Sequence, residues 1–328
     1  MRALAHLTAW AYGRDMPETR ATSATPSTRS PAGDQPSVAQ TPAQNPALAI
    51  ALMFVAGALV AIISILAKIL GTGEGGLHPL QVSAGRFGFA FLTLMALITL
   101  RPALRPSLRT AHLGTHIARV VFGWGGVTLM FAAVARMPVA EATAISFLSP
   151  VFTVLLAVVF LSESLTARKT LAAIVALVGA GLLLRPGGEA FQIAGLLALA
   201  SAGFLAIEVL FIKRLTNTEP PLRILVINNG VGSLIALSAA AFFWQMPSAA
   251  QWPAWIAVGV IMVTAQGFFL QSMRRAEASL VSPAFYSVLV FAALYDFALF
   301  DVVPDALALI GMGLILAAAL SLAATGRK

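Results

Sequence analysis

Arg86, Glu208 and Asp296 are the residues whose surroundings in the sequence point most directly to chemistry, because each interrupts a long apolar stretch. A charge at the centre of a membrane helix costs at least about 2.5 kcal/mol on insertion scales, so each needs a role or a partner. A buried guanidinium can hold a substrate carboxylate or phosphate through two parallel hydrogen bonds. A buried carboxylate can bind and release a proton during a transport cycle. We therefore predict an anion-binding role for Arg86 and proton coupling for Glu208 and Asp296.

Each of these predictions has a structural alternative that the sequence leaves open. Arg86 would then bind backbone carbonyls and the end of a neighbouring helix. Glu208 would reach the membrane surface or pair with a Lys or Arg, and Asp296 would lie at the interface near the outer surface. The choice depends on which other side chains the fold brings to these three positions.

Uncharged polar and aromatic side chains at mid-membrane positions extend the candidate substrate site. The adjacent amides of Asn228 and Asn229 can bind a polar substrate, or they can hydrogen-bond neighbouring helices. Pro150 and Pro283 are predicted to kink their helices and to expose backbone carbonyls to a cavity, with packing around a bend as the alternative. The remaining candidates, which are single polar or aromatic residues within apolar stretches, are Trp124, Ser149, Gln266 and Tyr286.

Sites of other kinds are not predicted. The chain has no cysteine and only four histidines, which excludes disulfides and Cys-ligated metals. His112 and His116 have helical i, i+4 spacing, but no third ligand is near, so we predict no metal site. Residues 71–76 match a dinucleotide-binding fingerprint, yet no strand precedes them. Without a nucleophile–His–Asp set, we predict neither catalytic residues nor a cofactor.

The candidate residues are carried by apolar segments whose length suits a bilayer. A membrane-spanning helix needs about 20 predominantly apolar residues. Such segments recur from Ala47 onward with short connections, which predicts an all-α integral membrane protein with ten transmembrane helices. Gly123, Gly125 and Gly126 in the third segment are expected to allow close contact with another helix. The predicted bounds of the ten segments are 47–70, 79–100, 114–135, 139–161, 167–185, 192–213, 222–244, 253–273, 279–300 and 304–323.

Composition and charge placement support a membrane location and give an orientation. Hydrophobic residues make up 59% of the chain and charged residues 10%, too few charges to cover the surface of a soluble enzyme. With a cytoplasmic N-terminus, 13 of the 17 Lys and Arg residues beyond residue 46 lie inside and three outside. This positive-inside bias predicts an inner-membrane protein with both termini cytoplasmic. Topology thus explains the net charge of +8, and we predict a lipid environment and no nucleic-acid partner.

The first 46 residues differ from everything that follows. From Ala21 to Pro46 the chain consists mainly of Ala, Thr, Ser, Pro, Gln and Gly, which predicts a disordered cytoplasmic tail over residues 1–46. No small-residue cleavage site follows an apolar stretch here, so no secretory signal is expected.

The two halves of the membrane region share short sequence matches in the same order. Ala61-Ile62 corresponds to Ala206-Ile207 at an offset of 145 residues, and two further matches follow. A five-helix repeat has an odd number of crossings, so its second copy must enter the membrane from the opposite side. We therefore predict two inverted repeats (5+5) at 47–185 and 192–323, an arrangement suited to alternating access.

The third to fifth segments contain an Ala-rich helix start, a central proline and a terminal glutamate. These features lie in the stretches Phe131–Pro138, Ala140–Pro150 and Phe160–Thr166. This pattern resembles the EamA-type domain of the drug/metabolite transporter superfamily, and Arg86-Phe87 resembles that family's arginine in the second helix.

The second half resembles the same family less closely. Residues 278–283 resemble the corresponding stretch of the ninth helix, whereas Phe285 and Asp301 stand where the family usually has an acidic residue and a glutamate. The resemblance covers residues 47–323 and implies a ten-helix carrier of small organic metabolites, often an exporter, that does not hydrolyse ATP.

We accordingly predict a secondary-active exporter of a small polar or amphipathic metabolite, amino-acid-like or drug-like, with possible partners limited to substrate, lipid and protons. The alternative within the family is uptake of a cofactor-like metabolite such as riboflavin or S-adenosylmethionine. Two alternatives of a different class are a membrane-embedded enzyme and a non-transporting assembly partner. The sequence identifies neither the substrate nor the oligomeric state.

Overall fold

A computed structural model describes residues 45–161, 167–184, 193–216, 218–273, 275 and 284–325, and over these ranges the chain is helical without β-strands. The predicted tail and Pro283 therefore lie outside the described residues, apart from Asn45 and Pro46. The eleven α-helices, numbered α1 to α11 here, are Pro46–Gly71, Pro79–Leu100, Leu113–Val134, Val139–Ser146, Ser149–Leu161, Ala167–Leu184, Ile193–Thr216, Pro221–Ala240, Gln251–Met273, Ser287–Phe300 and Ala306–Thr325.

In the described part of the chain, six stretches of helix are long and apolar enough to cross a membrane. They lie in α1, α2, α3, α7, α8 and α9, where α8 is extended by the 3-10 helix Ala241–Phe243. Four shorter apolar helices, over 139–153, 170–183, 287–300 and 306–321, occupy the remaining predicted segments within the described residues. The third segment, interrupted by Arg119, is among the six, so its charge does not prevent a continuous apolar helix.

The fourth predicted segment, 139–161, is divided into two helices. α4 ends at Ser146, and α5 begins at Ser149 after a turn at Phe147 and Leu148. Pro150 is the second residue of α5, in the first helical turn, where the missing N–H of proline removes no helical hydrogen bond. The interruption therefore precedes the proline and leaves a non-helical turn inside the bundle.

Helix starts follow local sequence signals. Pro46, Pro79 and Pro221 stand in the first turns of α1, α2 and α8, where their fixed φ angle suits a helix. The Asn45 side chain accepts a hydrogen bond from the backbone N–H of Leu48 at 3.0 Å and so caps α1.

Small residues allow several helices to pack closely. A Cβ added at Gly125 or Gly126 of α3 would lie 2.7 Å from the Phe204 ring or 2.9 Å from Leu205 of α7. The Ser201 hydroxyl of α7 also donates to the Gly126 carbonyl at 2.7 Å. The expectation that these glycines serve close helix contact is confirmed, and α3 and α7 form the most extensive helix pair.

The bundle has two ends that differ in their polar contacts. We call the end where residues 72–78 link α1 to α2 the first-loop end, and the end where residues 101–112 link α2 to α3 the second-loop end. Arg86 in α2 and Glu208 in α7 are on helices that connect these two ends.

Candidate functional site

Arg86, Arg119 and Glu208 form a buried charged group between α2, α3 and α7, which we call the central cluster. Arg119 Nη2 lies 3.5 Å from Glu208 Oε1, and the two side chains are 8% and 15% exposed. Arg86 is 5% exposed and interacts electrostatically with both other members. Two positive charges and one negative charge thus share one buried region.

The guanidinium groups of the central cluster are incompletely satisfied. Arg86 Nη1, Arg119 Nε and Arg119 Nη1 are buried and have no hydrogen-bond partner among the described residues. A buried polar group without a partner carries a substantial free-energy cost, and the great majority of such groups in proteins are paired. The cluster therefore has unused capacity to bind an acceptor.

Close helix packing holds the cluster in position. A Cβ added at Gly123 of α3 would lie 2.7 Å from the carboxyl carbon of Glu208, so this glycine makes room for the carboxylate. The guanidinium carbon of Arg86 lies 3.9 Å from the centroid of the Phe87 ring, which covers one face of the cation. Glu208 and Arg86 therefore each have a defined packing neighbour.

Asn228 and Asn229 lie buried in α8, which packs against α2, the helix of Arg86. Asn229 Nδ2 donates a hydrogen bond of 2.9 Å to the Leu225 carbonyl, one turn earlier in the same helix. Asn229 Oδ1 is buried without a partner among the described residues. This amide retains an acceptor, whereas the arginines of the central cluster retain donors.

Trp124 follows Gly123 on α3 and packs against a small apolar cluster that includes Phe87 of α2. Its indole Nε1 is buried and unpartnered within the described part of the chain. Phe87, the ring beside Arg86, belongs to the apolar cluster on which Trp124 packs, so Trp124 lies near the surroundings of the central cluster.

Tyr286 and Ser149 lie beside the interruption between α4 and α5. The Tyr286 ring meets Phe147 edge to face at a centroid separation of 5.1 Å, and Phe147 is in the turn that precedes Ser149. Gln266 lies on α9, where its side-chain Oε1 is buried without a partner in the described ranges. The structure thus places Ser149 and Tyr286 at the break and Gln266 on α9.

Asp296 is in a different place from Glu208, at the first-loop end. Its Oδ1 is 3.1 Å from Lys68 Nζ of α1, and its Oδ2 accepts a hydrogen bond of 2.8 Å from the backbone N–H of Ala140 in the first turn of α4. Lys68 also lies 4.3 Å from the centroid of the Phe300 ring. Asp296 is fully buried. We call this set the Asp296 latch, because it joins α1, α4 and α10.

Glu219 organises the second-loop end. Its Oε2 accepts a hydrogen bond of 2.5 Å from Arg223 Nη1, and its Oε1 accepts another from the Thr110 hydroxyl. His116 Nε2 is 3.9 Å from Glu219 Oε1. The Thr110 hydroxyl, followed by Arg223, holds the pKa of the Glu219 carboxyl below its usual value, although burial opposes this. These contacts connect the 101–112 segment to the link between α7 and α8.

Lys68, Arg119 and Glu219 were not predicted as site residues. Their signals were present, since Arg119 interrupts an apolar segment and Lys68 lies near the end of another. The partners of Lys68 and Arg119 are far along the chain, 228 residues away for Lys68, and contacts of that range are not visible in sequence spacing. No group of three or more His, Asp or Glu side chains suited to a metal ion occurs in the ranges that were searched.

Comparisons with known proteins agree with this architecture. A family model described as the EamA-like transporter family matches residues 47–185 and 192–324. The S-adenosylmethionine uptake transporter of Rickettsia bellii is 27% identical over 80% of this chain and 89% of its own length. The riboflavin transporter of Vibrio cholerae is 27% identical over 80% and 88%, and the pseudopaline exporter of Pseudomonas aeruginosa is 26% identical over 64% and 74%.

A solved crystal structure shares the fold at lower sequence similarity. Its TM-score with this chain is 0.59, and the match covers 87% of this chain and all of the other. At 19% identity, the likeness concerns the fold alone.

Proposed function

The chain belongs to the EamA-like transporter family, and from this premise we propose that it is a secondary-active carrier of a small polar or amphipathic organic metabolite. The observation that carries the proposal is the central cluster, in which buried guanidinium nitrogens of Arg86 and Arg119 have no hydrogen-bond partner among the residues that the structure describes. A transporter needs a binding position near the middle of its helices, and ionisable residues inside membrane helices mark such positions.

We propose that the carrier consists of two inverted five-helix repeats, residues 47–185 and 192–323. Helix contacts support this division. α3 packs against α7, and α1 packs against α9, which is the equivalent pair when each predicted segment is exchanged for the one five further along. The α2–α8 and α6–α11 pairs map onto themselves under the same exchange. A pseudo-two-fold axis in the membrane plane produces this pattern.

Alternating access assigns different roles to the two ends and the centre. The central cluster binds substrate, and Glu208 carries the coupling proton. Asp296 with Lys68 joins helices at the first-loop end, and Glu219 joins segments at the second-loop end. In each half of the cycle one of these ends has to open while the other stays closed.

Transport direction is proposed from the relatives rather than from the geometry. Relatives named as S-adenosylmethionine uptake transporters and riboflavin transporters match this chain over much of its length, which favours uptake of a cofactor-like metabolite. A relative named as a pseudopaline exporter matches a shorter part, and export is the alternative.

We further propose an inner-membrane location with both termini cytoplasmic, which the positive-inside bias supports. Because the chain has no cysteine, single-cysteine variants report topology directly. Glu74→Cys in the first loop and Arg105→Cys in the second are both at exposed positions. In intact cells, a membrane-impermeant maleimide is expected to label the Cys at position 74 but not the one at 105. The reverse labelling would contradict the orientation.

The function is tested with the purified full-length chain in liposomes. Radiolabelled S-adenosylmethionine and riboflavin are the first two probes, followed by a metabolite panel, in uptake and counterflow modes. We expect saturable flux of at least one solute, with a pH dependence that Glu208→Gln abolishes. Unchanged rate and pH dependence in Glu208→Gln would remove this residue from proton coupling. Absence of flux across the whole panel would favour the assembly-partner alternative.

A further inference from the structure

Among the described residues, the central cluster has one more positive charge than negative charges. Arg86 and Arg119 contribute two positive charges and Glu208 one negative charge, and these three groups interact electrostatically with one another. An isolated buried charge is strongly unfavourable. One additional negative charge would bring this region to neutrality.

The unsatisfied atoms of the cluster have one chemical type. Arg86 Nη1, Arg119 Nε and Arg119 Nη1 are all N–H donors, and both arginines are more than nine-tenths buried. The donors of a guanidinium match the two oxygens of a carboxylate in a planar fork. The missing partner therefore accepts hydrogen bonds, carries negative charge and reaches two arginines from different helices.

Glu208 shows that this position already accommodates a carboxylate. Its Oε1 lies 3.5 Å from Arg119 Nη2, which is an ionic contact longer than a normal hydrogen bond. Glu208 thus balances the charge of Arg119, but it does not accept hydrogen bonds from Nε and Nη1 of Arg119. A substrate carboxylate offering shorter, bidentate contacts competes directly with Glu208 for this arginine.

We infer that the substrate is an organic monocarboxylate whose carboxylate binds between Arg86 and Arg119 and displaces Glu208 from Arg119. This inference rests on the proposed function as a carrier and narrows its substrate class. Glu208 and the substrate carboxylate compete for Arg119, so substitutions of Glu208 and of Arg119 are expected to change substrate affinity in opposite directions. Removing Arg119 weakens binding, whereas neutralising Glu208 strengthens it.

The probes are pairs of N-acetyl amino acids and their amides, with aliphatic, aromatic and polar side chains, added to a metabolite panel of neutral, cationic and anionic solutes. Binding to the purified full-length chain, in detergent with phosphatidylcholine as the sole lipid, is read from the thermal midpoint. We expect stabilising solutes to carry a carboxylate, and amidation to weaken Kd at least tenfold in the unmodified chain.

Substitutions then separate a binding role from a structural one. We call the ratio of the Kd of an amide to the Kd of its parent carboxylate the amide penalty. In Arg119→Gln this ratio is expected to fall below twofold, and in Glu208→Gln the carboxylate is expected to bind several-fold more tightly. Arg119→Lys, which keeps the charge but loses the fork, is expected to retain part of the penalty and serves where Arg119→Gln does not fold. Arg105→Gln, at an exposed position, is the matched control and should keep the full penalty.

Three outcomes would overturn the inference. The first is tighter binding of neutral or cationic solutes than of any carboxylate. The second is an unchanged amide penalty in Arg119→Gln, and the third is weaker carboxylate binding in Glu208→Gln. Flux of uncharged solutes alone would support the carrier function but contradict the inference that the substrate is a carboxylate. Absence of both binding and flux would contradict both proposals.

Discussion

The Asp296 latch and the central cluster are both buried acid–base groups, but they differ in how completely their polar atoms are satisfied. Both oxygens of Asp296 have partners, Lys68 Nζ at 3.1 Å and the Ala140 N–H at 2.8 Å. In the central cluster, the ionic contact between Glu208 and Arg119 is 3.5 Å long, and three guanidinium nitrogens have no hydrogen-bond partner in the described chain.

We interpret this difference as one between a structural role for the latch and the binding role that we propose for the central cluster. A fully hydrogen-bonded buried ion pair is strongly destabilised when one partner is removed, because the other is left charged and unpaired. A cluster with unused donors is poised to accept a ligand, and part of its cost is relieved only when that ligand binds. We therefore expect substitutions in the latch to affect stability and substitutions in the central cluster to affect transport.

The largest effect on stability is expected for Asp296→Asn. This change leaves Lys68, whose side chain is only 12% exposed, without its counterion and weakens the acceptor for the α4 N-terminus, which should cost about 3 kcal/mol. Thermal unfolding of the purified chain measures the loss. Asp301→Asn is the matched control, since Asp301 is exposed and asparagine tolerates its left-handed φ of 53°. Equal losses in the two variants would show that the latch contributes nothing specific.

A smaller loss is expected for Gly123→Ala, which perturbs the central cluster sterically. The added methyl would lie 2.7 Å from the Glu208 carboxyl carbon, so the side chain or the helices must shift at a cost of about 2 kcal/mol. Gly203→Ala on α7 is the control, because no atom lies within 4 Å of its Cβ position. In transport assays, the rate of Gly123→Ala per folded molecule should be lower than that of the unmodified chain. If both alanine variants unfold at the same temperature, the close approach of α3 and α7 at Glu208 is not as described.

Glu208→Gln is expected to cost about 2 kcal/mol of stability, less than Asp296→Asn, although it leaves Arg86 and Arg119 without a carboxylate beside them. The carboxylate makes a long contact with Arg119 and its side chain is 15% exposed, so less interaction is lost than at Asp296. Unfolding curves of Glu208→Gln and Asp296→Asn, recorded side by side, test this order directly. A loss in Glu208→Gln as large as in Asp296→Asn would assign Glu208 to the structure and erase the distinction between the two regions.

The smallest effect is expected for Glu219→Gln at the second-loop end. Glu219 is satisfied like Asp296, but its partner Arg223 is 17% exposed in side-chain terms, so the loss should be about 1 kcal/mol or less. Its lowered pKa places the stabilising contribution above the unfolded carboxyl value, and this contribution disappears as pH falls through the folded value. The difference from the unmodified chain should therefore stay constant between about pH 5 and 8.

Exposed Glu74 in the first loop provides the comparison for Glu219. Glu74→Gln should unfold like the unmodified chain at every pH. A difference for Glu219→Gln that grows as the solution becomes more acidic would contradict the sign given by its lowered pKa.

The sequence identified some members of the central cluster and of the Asp296 latch, but not which residues come together in each. Arg86, Glu208 and Asp296 were recognisable because a charge inside an apolar stretch is costly wherever it points. Their partners Arg119 and Lys68 were not assigned, because a partner depends on helix rotation and on which helices become neighbours. The sequence treated Glu208 and Asp296 alike, whereas the structure shows one with a long ionic contact and the other with both oxygens satisfied.

The break between α4 and α5 shows a similar limit at the level of secondary structure. Apolar periodicity and Pro150 predicted one bent segment over 139–161, but the interruption is at Phe147 and Leu148. Phe147 there contacts Tyr286 of the segment that precedes α10, a contact between parts of the chain that are distant in sequence. Tertiary packing therefore places the interruption, within a segment whose apolar character was evident.

By itself, the sequence determined the class of this protein: a helical membrane chain whose few charges inside apolar stretches mark the positions worth testing. This follows because burial in lipid and helical periodicity act locally, within some 20 residues. Only the tertiary structure decided which buried charges are satisfied and which are not. That property depends on atoms brought together from separate helices, such as Lys68 with Asp296 and Arg119 with Glu208, at distances that side-chain direction and close helix packing set.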